Sequence, residues 1–402
     1  MALNNPKILI IAERFYPEEF IINELAQEWM KKGFLVEVLT QVPSYPFAKV
    51  FQGYSNRLFQ KTEWNGINIY RFFTVTGYRD SLFLKLLNYF SFAFVSTIVA
   101  VFIGKKYDRI FVYQTGPLTQ SIGAVIIKKI FGKKIYIWIQ DVWPDTVYAY
   151  GFKKTWFLKK TLDVFVRTIY KNCEKIFISC KGFNPKVKEY FSNAKIIYSP
   201  QWAPTALNYD QISSHELLKE GINFTFAGNI GKVQNLENVI RGFAFLLKSD
   251  DQINLNIIGD GSNLEALKNI VKEESIANVH FWGRKPLKEM PRWFEGSDVL
   301  IISLIDEPIF SLTVPAKFQA YLASGKPIYC VMKGEVADLV MNNKIGFVSH
   351  PNNIDDIKAG FEKFLSTSKQ ELRAFGSNMK SLLNNEYDRD KIIEQMTEEV
   401  FM

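Results

Sequence analysis

A chain of 402 residues, 48% of them hydrophobic and with a net charge of +8, is long for one core and comfortable for two globular domains. Its three cysteines, Cys173, Cys180 and Cys330, form no CxxC and no paired spacing, which argues against a disulfide framework or a zinc site and fits a reducing cytosol. The ILIIA run (8–12) is too short for the apolar core of a signal peptide, and Glu13 and Arg14 follow it at once.

The charge is uneven. Residues 1–200 carry 28 Lys and Arg against 14 Asp and Glu, and the remainder 21 against 27. The basic half is also aromatic, as in YRDSLFLKLLNYFSF (78–92) and FGKKIYIWIQDVW (131–143). Such a mixture suits an anionic membrane surface or simply a solvated basic face. Nucleic acid finds no support, since neither zinc-finger spacing nor an RNP-like run is present.

In chain order, KILIIA (7–12) is a short apolar run that ends in a polar loop and predicts a buried parallel strand. FIINELAQEWMKKG (20–33) has helical spacing and a glycine stop. FLVEVLTQ (34–41), INIYRFF (67–73), RIFVYQ (109–114), KIYIWIQ (134–140) and KIFIS (175–179) repeat the strand pattern, with helix-like stretches between them. Between two of these strands, residues 86–104 run without a charge, long enough to span a bilayer. A span would split one sheet across the membrane, so the stretch is expected to be a largely buried helix with, at most, one face in a lipid interface. After a proline-bearing linker at 201–220 the alternation resumes with INFTFAG (222–228), INLNIIGDG (253–261), NVHFWG (278–283), DVLIIS (298–303) and KPIYCV (326–331). Two such series predict an α/β chain of two Rossmann-like domains, 1–200 and 221–382, followed by a terminal helix over 383–402.

The stretch FAGNIGKVQNLENVI (226–240) reads as strand, glycine loop and helix start. Gly228 and Gly231 allow close backbone approach to an anion, and the helix N-terminus and Lys232 would favour a diphosphate. A plain glycine turn is the other reading, and the loop is neither GxGxxG nor GxxxxGK[ST]. Three companions favour the anion: IIGDGSNLEALK (257–268), FWGRKP (281–286) and VPAKFQAYLASGKPIYCV (314–331), all expected at one sheet edge. The DRD at 388–390 has no preceding strand, and His215, His280 and His350 are isolated, so no metal site is expected. Trp138 and Trp143 read as core or interface aromatics.

This order of motifs resembles the GT-B glycosyltransferases, in particular the family four type. ERFYPEEFIINELAQEWMKKGFLVEVLTQVPSYP (13–46) and WIQDVWPDTVYAYG (138–151) are similar to the branch that builds O-antigen and capsule chains, including transferases of L-fucosamine-type sugars. The resemblance implies a donor diphosphate held by Gly228, Asn229, Gly231 and Lys232, with Gly259, Asp260 and Gly261 beside the nucleotide and Phe281 to Arg284 bordering its base. It implies backbone amides from Phe310, Ser311, Leu312 and Thr313, Lys317 reaching the same anion, and a terminal helix over 383–402 that returns to the first domain. Lys232 and Lys317 together would offset the charge that develops on the leaving diphosphate, with no divalent metal and no cofactor beyond the UDP-sugar substrate. Two positions depart from the family: Asn229 and Gln234 stand where an Arg and a Lys are common. A pair of glutamates is also missing, with Leu312 and Ala320 in their places, so ribose contacts pass to Glu307 or Gln319.

In the N-terminal domain Asp141 is expected at a strand end, where a carboxylate orients or deprotonates an acceptor hydroxyl, or else caps a helix or turn. Asp145, Glu13 and Glu19 are lesser acceptor-side candidates, and Tyr45 a possible wall. The whole predicts a cytoplasmic glycosyltransferase, peripheral on the inner face of the cell membrane, that passes a sugar from a UDP-sugar to a lipid-linked saccharide, and the resemblance implies retention. Two other classes share the fold: a nucleotide-sugar 2-epimerase or hydrolase, and a non-catalytic saccharide- or lipid-binding protein.

Overall fold

The computed structural model describes residues 6–78, 81–149, 152–209, 218–246 and 252–402. His215 and the middle of the expected linker lie outside the described residues. The chain forms two compact units, one of residues 1–200 with 390–402 and one of residues 201–389.

The first unit is built on an eight-stranded sheet. Its strands are β1 (Lys7–Ala12), β2 (Leu35–Gln41), β3 (Phe59–Trp64), β4 (Ile67–Phe72), β5 (Arg109–Gln114), β6 (Lys134–Ile139), β7 (Lys175–Ile178) and β8 (Ile196–Tyr198), in the order β3-β4-β2-β1-β5-β6-β7-β8. All pairs are parallel except β3 with β4. Ile10 of β1 lies in register between Val38 of β2 and Phe111 of β5. Ile8 to Ala12 are fully buried, as an unbroken apolar run requires when helices cover both faces. The antiparallel β3 was not foreseen, because its residues alternate between exposed and part-buried at the sheet edge. Asn65 and Gly66, at φ 49° and 82°, make the two-residue turn that joins it to β4.

The helix Leu82–Gly104 connects β4 to β5 of this same sheet, so its two ends return to one layer. It is not largely buried: only 28% of its apolar window lies inside the fold. Asn88, Phe92, Ala93, Ser96 and Ala100 face inward, while Phe83, Leu87, Phe90, Phe94, Ile98 and Phe102 are exposed.

The second unit holds a six-stranded, wholly parallel sheet of β9 (Ile222–Ala227), β10 (Ile253–Ile258), β11 (Val279–Gly283), β12 (Val299–Ser303), β13 (Ile328–Val331) and β14 (Gly346–Val348), ordered β11-β10-β9-β12-β13-β14. Phe361 of the helix Ile354–Ser366 meets Phe224, Phe243 and Tyr329 edge-on, at 4.8, 5.7 and 4.8 Å between ring centroids. Each such pair adds about 0.5–1.5 kcal/mol beyond its area burial. The helix Lys369–Glu386 runs through the boundary expected near residue 382, and the last helix, Arg389–Phe401, packs in the first unit. There Trp29 Nε1 donates to Thr397 Oγ1 at 3.0 Å and Phe34 stacks on Phe401.

In each sheet the strand order reverses once, between β1 and β5 and between β9 and β12. Open parallel sheets bind ligands beyond the carboxyl ends of their strands at such switch points. The carboxyl ends of these four strands therefore set where to look.

Candidate functional site

In the second unit, the loops that follow β9, β10 and β11 are laced together by backbone hydrogen bonds. Gly228 donates to Ile258 O, Ile230 to Asp260 O, Asn263 to Ile230 O and Gly259 to Gly283 O, each at 2.9 Å. Gly259 sits at φ 145°, and a Cβ there would fall onto the carbonyl of Gly228. Only glycine allows that approach. The glycine segments singled out in the sequence thus meet at one edge. Arg284 lies exposed just past β11.

Lys317 opens the helix Lys317–Ser324 and reaches the same edge. Its Nζ donates to Gln234 Oε1 at 3.0 Å and lies 3.6 Å from the centroid of the Phe226 ring. It is also 3.1 Å from where a Cβ on Gly228 would stand. The helix is pinned by Tyr321, one turn on, whose hydroxyl meets Ala227 N at 3.0 Å and Ala227 O at 3.3 Å. Burial pushes the Lys317 ammonium down to about 7. It has an aromatic face and a neutral amide around it, and a bound anion would restore its charge. Gln234, neutral where the family often has Lys, is therefore the hydrogen-bond partner that holds Lys317 on the loop.

Other expectations change. A 3-10 turn, Lys232–Gln234, separates the glycine loop from the helix, which starts at Leu236. Lys232 and Asn229 are exposed beside the loop. In the turn Phe310–Leu312, the amides of Phe310, Leu312 and Thr313 bond to Glu307 O, Ile309 O and Phe310 O. The amide donation expected of that segment therefore narrows to Ser311. Gln319 is 1% exposed, so its amide faces the interior and is withdrawn as a ribose contact, whereas Glu307 is exposed.

In the first unit, Glu13 and Arg14 follow β1, Gln114 ends β5 and Asp141 follows β6. Lys85 comes from the first turn of the helix Leu82–Gly104. Burial raises the Asp141 carboxyl to about 7, opposed by the Lys85 ammonium. Burial also raises Glu13, against the pull of Arg14 and Lys85, and lowers Lys85, which Arg14 lowers further while Glu13 and Asp141 hold it up. These four charges act on one another at the switch point of the sheet. Glu13 is 2% exposed; its Oε1 has no partner, and its Oε2 stands 2.6 Å from where Gly116 would carry a Cβ. The helix after Asp141 starts at Asp145, so Asp141 is not its cap.

The lesser candidates divide. Glu19 is exposed, and its neighbour Glu18 is the buried one, accepting from Ser44 N at 2.9 Å and Tyr45 N at 2.6 Å. Glu18 thereby fixes the loop that carries Tyr45, whose ring lies 4.0 Å from the Arg14 guanidinium carbon. Asp145 pairs with Lys186 at 3.3 Å, away from the four charges. Sequence reading missed Arg14, Glu18 and Lys85. Arg14 sat beside a chosen residue, whereas nothing local marks Lys85, 56 positions from Asp141. Trp138 is fully buried and donates to Ser199 O at 2.9 Å, as a core aromatic. His280 bonds Asn254 Oδ1 at 3.0 Å, and among the described residues no group of three His, Cys, Asp or Glu is placed to hold a metal.

Residues 210–382 match the model of the family described as glycosyl transferases group 1. Among curated proteins, the chain is 24% identical over 249 residues to the probable glycosyltransferase WbjE of Pseudomonas aeruginosa. That match spans 60% of this chain and 62% of the relative, so it covers less than two thirds of that protein. It is 23% identical to the putative colanic acid biosynthesis glycosyl transferase WcaI of Escherichia coli K12, over 79% of this chain and 81% of the relative. Among solved structures it is similar to a sucrose-phosphate synthase of Thermosynechococcus elongatus (TM-score 0.70, 13% identity, 98% of each chain). A second is the Anabaena protein HepE in complex with UDP-glucose (TM-score 0.68, 13% identity, 98% of each chain). With both parallel sheets and their switch points in place, residues 210–382 match the glycosyl transferases group 1 model, and the chain has the two-domain α/β fold of these solved structures.

Proposed function

We propose that this chain transfers a sugar, of the N-acetylated amino-deoxy kind, from a UDP-sugar to a lipid-linked saccharide at the cytoplasmic face of the membrane, during assembly of a surface polysaccharide such as capsule or O-antigen. The observation that carries the donor half is Lys317 held by Gln234 and Phe226 against the Gly228 loop. A buried cation of lowered pKa beside a glycine loop at a switch point suits a diphosphate. The complex of HepE with UDP-glucose supports the nucleotide, and the name of WcaI supports the setting.

In this reading the second unit holds the donor, with Asn229, Gly231, Lys232 and Ser311 around the diphosphate and Gly259, Asp260, Gly261 and Arg284 around the nucleoside. The first unit binds the acceptor. Asp141 holds the acceptor hydroxyl and takes its proton as that oxygen bonds to the anomeric carbon. The bond from the anomeric carbon to the diphosphate breaks, UDP leaves, and Lys317 with Lys232 stabilises the charge that gathers on it. For the anomeric configuration to be retained, the acceptor oxygen bonds on the same face of the anomeric carbon that the diphosphate leaves.

Thermal stabilisation by a panel of UDP, GDP, ADP, CMP and NAD tests the reading. A nucleotide at about a hundred times its Kd adds about 2.7 kcal/mol. Stabilisation by UDP that disappears in Lys317→Ala is the expected result. Stabilisation by none of the panel would sink the donor assignment. UDP binding without transfer to any lipid-linked acceptor would favour the non-catalytic reading, to which Ala320 at the family's Glu position lends weight.

A further inference from the structure

On the helix Leu82–Gly104, six large apolar side chains, Phe83, Leu87, Phe90, Phe94, Ile98 and Phe102, recur at spacings of three and four and are 36% to 83% exposed. At ~1.5 Å rise per residue this stripe is about 28 Å long. Soluble surfaces rarely leave so continuous an apolar strip in water. The inward face is filled by Asn88, Phe92, Ser96 and Ala100, so the stripe is surplus to the core. The helix Ile122–Phe131 packs against the Thr97 and Ala100 side of the helix Leu82–Gly104 and against the helix Trp156–Asn172, which presents exposed Trp156 and Phe157. These two neighbours carry six Lys and Arg against one Asp.

We infer that this three-helix face is a membrane-docking surface, with the helix Leu82–Gly104 lying in the interface of an anionic bilayer, its phenylalanine stripe among the acyl chains and the flanking lysines on the lipid phosphates. The inference deepens the lipid-linked acceptor reading above by naming the surface. The charge decides between occupants. A second copy docking through the same patch about a two-fold axis would set two surfaces of like net charge, six cations and one Asp on each, against one another, whereas anionic headgroups complement them. The helix does not cross the bilayer, because both of its ends enter strands of one sheet. The helix itself carries no charge over residues 86–104, so its two neighbours supply the cations, and the three helices together form the apolar and basic parts of an interfacial face.

Flotation of the full chain with phosphatidylcholine vesicles, with and without phosphatidylglycerol, at low and high salt, tests this. Binding to the phosphatidylglycerol vesicles, weakened by salt and reduced roughly tenfold or more in F90E/F94E, is expected. The UDP-dependent melting shift, measured on the same samples, should be unchanged, which separates the surface from the donor site. The milder F94A, expected to weaken binding several-fold, serves if the double variant does not fold. Unchanged flotation of these variants overturns the inference. So does a dimer in light scattering that F90E/F94E converts to a monomer, since the stripe would then cover a second copy. Loss of the UDP shift in Lys317→Ala with flotation intact would instead count only against the donor reading.

Discussion

Lys317→Met should stabilise the empty protein while abolishing its response to UDP. The wild-type ammonium is held near pKa 7 by burial against Phe226, and the unfolded chain returns it to about 10.5. The folded pKa is the lower one, so between these values the unfolded state binds more protons and wild-type stability rises with pH. Linkage puts the rise between pH 7 and pH 9 at about 2 kcal/mol, an upper figure because the side chain keeps some contact with water. Methionine removes the titration and keeps the packing on the ring, at the loss of the Gln234 hydrogen bond, about 1 kcal/mol. For a unit of this size the pH-dependent difference corresponds to roughly 4–8 °C in Tm. Scanning fluorimetry of wild type and K317M at pH 7 and pH 9, with and without UDP, reads both effects. The wild type should gain on K317M as pH rises, and UDP should shift the wild type alone. A bound diphosphate recharges the lysine, so UDP affinity should fall toward tenfold per unit above pH 7. Parallel pH curves together with equal UDP shifts in both proteins would refute the placement of Lys317 at the diphosphate.

Asp141→Asn should lower transfer roughly a hundredfold or more and erase the limb of the pH–rate profile with its midpoint near 7. Since the folded carboxyl titrates above its unfolded value, the wild type loses stability as pH rises from about 4 to 7, and D141N should lose less over that window; matching slopes would contradict the burial of this group. Gly259→Ala forces a methyl onto the Gly228 carbonyl at φ 145° and should cost more than about 3 kcal/mol, along with UDP binding; a neutral melting curve would mean the loops are not laced as described. Glu18→Ala removes the acceptor of two amides in the Tyr45 loop and should cost about 3 kcal/mol in chemical denaturation, with Glu19→Ala nearly silent.

A pattern of short, mostly apolar runs between turn signals carried the architecture, although Asn223, Thr225, Asn254 and Asn256 lie buried within β9 and β10, and β1 could be bounded from KILIIA alone. It failed at β3, an edge strand whose alternation resembles a loop, although the Asn65-Gly66 turn was there to be read. It also failed at residues 86–104, where a charge-free run does not distinguish a core helix from one whose phenylalanines face out. That distinction needs the phase of Asn88, Ser96 and Ala100 against the sheet. In the site, the glycines were legible because a close backbone approach admits few residue types, and Lys317 only through the family resemblance. Glu18 against Glu19 was not, because adjacent residues share composition and differ only in direction. Gln234 was visible as an oddity, but its bond to Lys317 spans 83 positions that only folding brings together.

The first unit is sewn from both parts of the chain, for residues 390–402 complete what residues 1–200 begin. Trp29 is fully buried, and its indole N–H is satisfied by Thr397. During synthesis the second unit, continuous from 201 to 389, has all its residues before Trp29 meets that partner. The usual order, in which the earlier domain is finished first, is inverted here. A chain ended after residue 389 would keep every residue of the second unit and leave the first with an open seam along Trp29, Phe34 and Arg109.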